Sequence, residues 1–354
     1  MTNVKLSDNS PLILALIFLA IALMIAFVWS MATGAVTIPF TEVTHVVLNK
    51  IGLTNYYLDE NSDLVINELR MPRAILAMCV GAGLSVAGAS LQGLFRNPLT
   101  DPALIGLSSG ATLGAVGVIV LGGAFFHLVD TTLREYLMEV AAFTGGAIST
   151  FVSYRLATRG GQTSVSMLLL SGIAINALTG AIYGVLLFMA TDSQLRSISF
   201  WQLGSMAGAT WENLTATIVF LVPSTLALLL FGNKLNLLAL GEKEAYYLGV
   251  NVQSFKKYLV ILICIAVGSA VANSGIIAFM GLLVPHIIRL IVGHNYKAIL
   301  PASLLGGALL LLVADTLART IISPAELPIG IITTGLGGPF FLWLLLKGRK
   351  EEQL

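Results

Sequence analysis

Charge is scarce in this chain. Only 10% of its 354 residues are Asp, Glu, Lys or Arg, far below the roughly 25% of a soluble domain. The formal net charge of +1 leaves no basic excess of the kind a nucleic-acid partner requires. Cysteine is almost missing: Cys79 and Cys264 both sit inside apolar runs. They read as inert membrane thiols, excluding a disulfide framework and offering no metal-ligand spacing. Neither H-E-x-x-H nor G-x-x-x-x-G-K-[ST] occurs, so the chain holds no zinc-protease site and hydrolyses no nucleotide by itself.

What fills the sequence instead is apolar. Hydrophobic residues make up 56% of the chain, and the mean hydropathy is +0.90. A spanning helix needs about 20 mostly apolar residues. Ten such runs are expected, at 12–31, 73–94, 103–122, 137–156, 165–190, 214–232, 257–275, 276–293, 299–318 and 329–346. The first exceeds the ~7–15 residues of a signal-peptide core and reads as an uncleaved span. The seventh and eighth run together through "VANSGIIAFMGLLVPHIIRL" without a polar gap. The reading is therefore a single all-α, polytopic membrane domain over 1–354.

Ten spans put both termini on one side. Thirteen of the 19 lysines and arginines fall on that side, among them those of the tail "KGRKEEQL". The positive-inside rule then places both termini in the cytoplasm. Lys50, Arg70, Arg73, Arg134, Arg196 and Arg319 are left outside. Arg70 and Arg73 flank Pro72 where the second span begins, and a cation at a helix start opposes the helix dipole. Arg319 stands beside the last span. Lone arginines there would snorkel or touch lipid phosphate, whereas three together suit a shared acidic partner.

Small residues suggest close packing. Gly81, Ser85 and Ala89 fall four apart, a spacing that lets helix backbones approach in lipid, so the second helix should be surrounded by others. The 35 glycines fit a bundle with irregular breaks, common in transporters. Three interruptions stand out: "FRNPLTDPALIGLSSGA", the amphiphilic stretch 192–213 expected at the outer surface, and "ISPAELPIG". Such breaks survive at membrane depth only where protein or a water-filled cavity satisfies the backbone.

The long inner loop at about 233–256 contains "LGEKEAYYLG". Acids in its first turn and Gly249 at its end predict a short helix, which spacing alone leaves open as a surface connector or a docking element. "GLSSG" around Ser108 matches G-x-S-x-G, but a helix-breaking loop precedes it where an esterase elbow needs a strand. His45 and His127 fall outside, where contact with a metal-containing cargo competes with an ordinary loop position. His286 and His294 belong to an inner turn. Glu139 and Asp315 lie near the outer ends of their helices and the central thirds of most helices carry no acid. That pattern disfavours an ion-coupled carrier, which places ionisable groups at mid-bilayer.

Four motifs in order carry a family likeness: "LRMPRAILAMCVGAGLSVAGASLQGLFRNPLTDPALIGLSSGATLGA", "LLALGEKEAYYLGVNV", "GLLVPHIIRLIVG" and "ELPIGIITTGLGGPFFLWLL". Over residues 12–349 the chain resembles the permeases of type II ATP-binding-cassette importers, which take up ferric siderophores, haem and cobalamin. The resemblance implies a homodimer of ten-helix subunits in a bacterial inner membrane. It also implies two cytoplasmic ATPase subunits holding ATP-Mg and a periplasmic binding protein, with no cofactor bound permanently to the permease. Arg70, Arg73 and Arg319 match the family's arginines that meet glutamates of the binding protein. Gly241, Glu242, Glu244, Ala245, Leu248 and Gly249 match the coupling helix that sits in a cleft of the ATPase. Asn97, Leu99, Ser164, Val165 and Ser166 match the cytoplasmic gate, although Val165 stands where the cobalamin branch shows a small polar residue. The fifth and tenth helices would line the path at the dimer axis. "DPALIG" and "QLRSISFW" look most like the haem branch, which implies haem as cargo, with a ferric siderophore or cobalamin as the alternative.

Overall fold

The computed structural model describes residues 10–50, 52, 60–125 and 136–351. His127 and Arg134 lie outside them. All ten expected helices are present. Six are both long and apolar enough to cross a membrane: Leu12–Ala32, Asn61–Phe95, Val165–Met189, Trp211–Leu229, Val252–Ser274 and Tyr296–Ala318. We number the helices α1 (Ser10–Ala32), α2 (Phe40–Lys50), α3 (Glu60–Leu64), α4 (Met71–Phe95), α5 (Leu107–Phe125), α6 (Leu137–Ala157), α7 (Val165–Met189) and α8 (Asp192–Leu203). Then follow α9 (Trp211–Leu229), α10 (Gly232–Leu240), α11 (Glu242–Tyr247), α12 (Val252–Ser274), α13 (Met280–Val292), α14 (Tyr296–Ala318) and α15 (Ile329–Glu351).

The second span begins earlier than expected. A single π-helical stretch, Val65–Arg70, joins α3 to α4 without a break, giving one helix over Asn61–Phe95. Arg70 and Arg73 therefore lie inside a helix, and the dipole objection to cations at its start does not apply. Counting back from Phe95, Arg73 sits about 33 Å up the axis, close to the ~30 Å thickness of the hydrocarbon layer. The arginines thus mark the opposite interface.

Helix α4 is the centre of the bundle. Every residue from Val80 to Phe95 is buried, packed by α14, α9, α13 and α12. The small-residue spacing explains this. A Cβ on Gly81 would lie 2.2 Å from the Gly307 carbonyl, and one on Gly88 2.1 Å from that of Gly281, so the backbones of α14 and α13 touch α4 directly. Helices α5, α6 and α7 pack on one another and reach the centre through α12. By contrast, α1 turns Ile13, Leu14, Phe18 and Met24 outward, as a helix facing lipid does.

The stretch without a polar gap breaks at Gly275. The chain there is irregular to Phe279, and α13 starts at Met280 instead of 276 with only 13 residues. At 1.5 Å per residue that is about 20 Å, short of a full crossing. The unwound segment is covered by protein: Ser205 N–H donates to the Ser274 carbonyl at 2.9 Å, as irregular backbone at membrane depth requires. Residues 192–213 form α8, opened by a capping box between Thr191 and Gln194, and a turn leading to α9.

Candidate functional site

Three groups of residues gather at the two ends of the bundle. At the end where α1 finishes, Arg70, Arg73 and Arg319 come together although nearly 250 positions separate the first from the last. Arg73 donates to Asp315 at 2.8 Å and to Glu326 at 2.9 Å. Asp315 is sealed in, with 1% of its side chain exposed, whereas Glu326 is 39% exposed. Arg70 donates to the carbonyls of Met31 and Val36, and Arg319 to the carbonyl and, at 2.7 Å, the hydroxyl of Ser30. These carbonyls belong to the last turn of α1 and the loop after it, where free acceptors attract cations. Burial lowers the Arg319 pKa from its ordinary value, opposed by Asp315 and reinforced by Arg73.

The sequence reading assigned these arginines to an external acid. The structure shows Arg70 and Arg319 holding the end of α1 and the loop after it. It further brings in Asp315 and Glu326 as internal partners of Arg73. The three arginines still border an open recess of about 290 Å³, with Glu326 the one acid among its described lining residues. Three cations against Asp315 and Glu326 leave the recess with an excess positive charge.

At the other end lie two turns, one after α4 and one before α7. Asn97 follows α4, and its side chain accepts from Leu99 N–H at 2.9 Å, fixing the turn that leaves Leu99 exposed. Asp101 caps the 3₁₀ turn Pro102–Ile105 by accepting from Ala103 N–H at 2.9 Å. Burial pushes the Asp101 carboxyl above the usual carboxylate range, against the pull of that hydrogen bond. The turn is tied to α7: Asn176 donates to the Ala103 carbonyl at 3.1 Å and accepts from Ser109 at 2.6 Å. Ser164 is the N-cap of α7, so Val165 and Ser166 are its first residues. Ser108 sits in the first turn of α5, a helix entered from a 3₁₀ turn and not from a strand, which removes the esterase elbow.

Residues 241–249 contain the expected short helix. Gly241 and Gly249 adopt φ of 140° and 87°, conformations that favour glycine, and the Glu244 carboxylate folds back onto Gly241. Between them α11 buries Ala245 completely and leaves Tyr246, Tyr247 and Leu248 67%, 83% and 59% exposed. Both tyrosines went unnoticed in the sequence because an aromatic pair on a short helix has no periodic signature.

A buried lysine connects these two inner groups. Lys256, 1% exposed in α12, donates to Glu242 of α11 at 2.7 Å and to the Thr163 carbonyl at 2.8 Å. Thr163 N–H donates to Gln253 at 2.8 Å. The Thr163 hydroxyl is held by Tyr154 and Thr158 in the two-stranded hairpin that closes at Gly160 and Gly161. Thr163 directly precedes the cap of α7, so α11, α12 and the start of α7 form one hydrogen-bonded unit.

Comparison with known proteins fits this arrangement. The profile of the FecCD transport family matches residues 22–347. The chain is 44% identical to the hemin transport system permease protein HmuU of Yersinia pestis over 95% of its own length and 96% of that protein. It is 38% identical to the cobalamin import system permease protein BtuC of Halobacterium salinarum, over 81% of this chain and 74% of that one. Among solved structures, a transporter assigned to the metal-chelate ABC type, in an inward-facing conformation, superimposes with a TM-score of 0.81. It is 33% identical and the match covers 94% of this chain and 98% of that chain.

Proposed function

Because the chain belongs to the FecCD transport family of type II ABC importer permeases, we propose that it carries haem across the bacterial inner membrane. Two copies of the chain work with two ATPase subunits and a periplasmic binding protein. Both termini and α11 face the cytoplasm. The observation that carries the reading is the polarity of the bundle: a cationic recess at one end, and at the other an exposed aromatic helix hydrogen-bonded to the start of α7.

Each end has a role in this reading. An acidic side chain of the binding protein enters the recess beside Arg70, Arg73 and Arg319, where charge speeds encounter and fixes register. Tyr246, Tyr247 and Leu248 enter the ATPase, together with the backbone bend at Gly241 and Gly249. When ATP closes the ATPase pair, α11 moves as a body and takes Lys256, Thr163 and the cap Ser164 with it. Asn97, Leu99, Val165 and Ser166 then open or close the inner mouth. The exposed apolar faces of α7 and α15, including Ile173, Leu178, Phe188 and Leu336, support a dimer axis lined by these helices. No chemistry is done on the cargo.

Haem is preferred over cobalamin because the chain shares more identity, over more of its length, with the hemin permease than with the cobalamin permease. The likeness to a metal-chelate transporter supports a ferric siderophore as the second reading. The test is uptake into proteoliposomes containing this chain and its ATPase, with binding protein loaded with haem, ferric siderophore or cobalamin. ATP-dependent accumulation of haem above the other two is expected. Siderophore uptake alone would overturn the cargo, and uptake without ATP would overturn the importer.

A further inference from the structure

A cavity of about 610 Å³ forms a groove between α6 and α12 that none of the roles above uses. Its two ends differ in chemistry. One end is polar and cationic: Arg155 from the last turn of α6 and Lys257 and Ser254 from the start of α12. The rest is apolar, walled by Phe143, Phe151, Val260 and Ile261. Among the described residues lining it there is no Asp or Glu, and neither Arg155 nor Lys257 forms a salt bridge with a described residue.

We propose that this groove is a binding site for one anionic phospholipid of the leaflet on the coupling-helix side. Three features select that occupant. From Ser254 to Ile265 the α12 wall runs about 16 Å, the depth of one leaflet of a ~30 Å hydrocarbon layer. An acyl chain laid along it therefore brings its headgroup level with the cations. Arg155 offers a fork of donors matched to a phosphate and Lys257 a mobile point charge beside it. A basic pocket between membrane helices on the cytoplasmic side favours lipids with net negative charge over zwitterionic ones. Thr158, Gly161 and Gln253 also line the cationic end, so the headgroup lies against the hairpin that holds Thr163. The lipid braces the hairpin at that end.

The leaflet assignment rests on the orientation proposed above, whereas the site itself needs neither ATPase nor cargo and can be tested on the permease alone. In native mass spectrometry of the chain from mixed phosphatidylglycerol and phosphatidylcholine, the wild type should retain phosphatidylglycerol preferentially. Arg155→Gln with Lys257→Gln should lose that preference at least about tenfold while phosphatidylcholine adducts stay constant. Equal retention by wild type and variant overturns the site. A second measurement needs no variant. Cys264 lines the groove and Cys79 does not, so a membrane-soluble maleimide reports both positions in one molecule. Alkylation of Cys264 should slow several-fold in phosphatidylglycerol vesicles relative to phosphatidylcholine, with Cys79 unchanged. Cys264 rates that do not depend on the lipid overturn the proposal.

Discussion

Asp315 and Glu326 hold the same arginine but should differ greatly in worth. Asp315 is buried with Arg73, and deleting one partner of a buried pair leaves a charge that water cannot reach, at a cost of about 3–5 kcal/mol. Glu326 lies at the rim, where an ion pair contributes about 1 kcal/mol or less. Asp315→Ala should therefore lower the melting temperature in detergent markedly and Glu326→Gln only slightly. Comparable shifts would contradict the burial difference. Asp101 gives a pH dependence of opposite sense to an ordinary carboxylate. Its folded pKa is raised, so the native state binds the proton more tightly than the unfolded chain does, and stability is lost as pH rises from about 4 through the folded value. Asp101→Asn keeps the acceptor for Ala103 N–H and removes the titration. The melting temperature of the wild type should fall more between pH 4 and 7 than that of the variant, and parallel curves would refute the assignment.

Among elements, the glycine contacts of α4 decide whether the bundle closes. Gly81→Ala puts a methyl 2.2 Å from the Gly307 carbonyl, which a backbone can relieve only by moving. Overpacking of this kind costs about 1–3 kcal/mol. Gly117→Ala in α5 meets nothing within 4 Å and should be neutral or slightly stabilising, because alanine holds a helix better. A melting comparison of the two distinguishes packing from propensity. The close approach of α4 was legible in the spacing of Gly81, Ser85 and Ala89, and the ten helices were legible because apolar length is a local property. The boundary at Gly275–Phe279 was not, since a break buried in protein needs no polar residue to mark it. The joining of α3 to α4 through a π turn was equally hidden, because Pro72 with two flanking arginines reads as a helix start. The partners of Arg73 lie 242 and 253 positions away, a distance over which sequence spacing says nothing. Lys256 was visible as a charge beside an apolar run, but its contact with Thr163 spans 93 positions.

Across the whole molecule, that contact joins α11 to the start of α7. A lysine 1% exposed is costly to bury unless it is paired and hydrogen-bonded, and this one divides between a carboxylate on α11 and a carbonyl beside the α7 cap. In the proposed importer it links two surfaces that move together as the ATPase pair closes. Replacing it with methionine keeps the volume and removes both hydrogen bonds, so α11 could still dock while its displacement no longer reached Ser164. Lys256→Met should leave the assembled complex and its basal ATP hydrolysis within about twofold of wild type, with haem taken up per ATP falling at least about tenfold. Glu242→Gln, which preserves an acceptor but not the charge, should fall between the two. A variant that loses hydrolysis and uptake in equal proportion would show that Lys256 serves only to fold the inner face. Full uptake per ATP in Lys256→Met would show that motion reaches α7 by another path, such as the direct packing of α12 on α5 and α6.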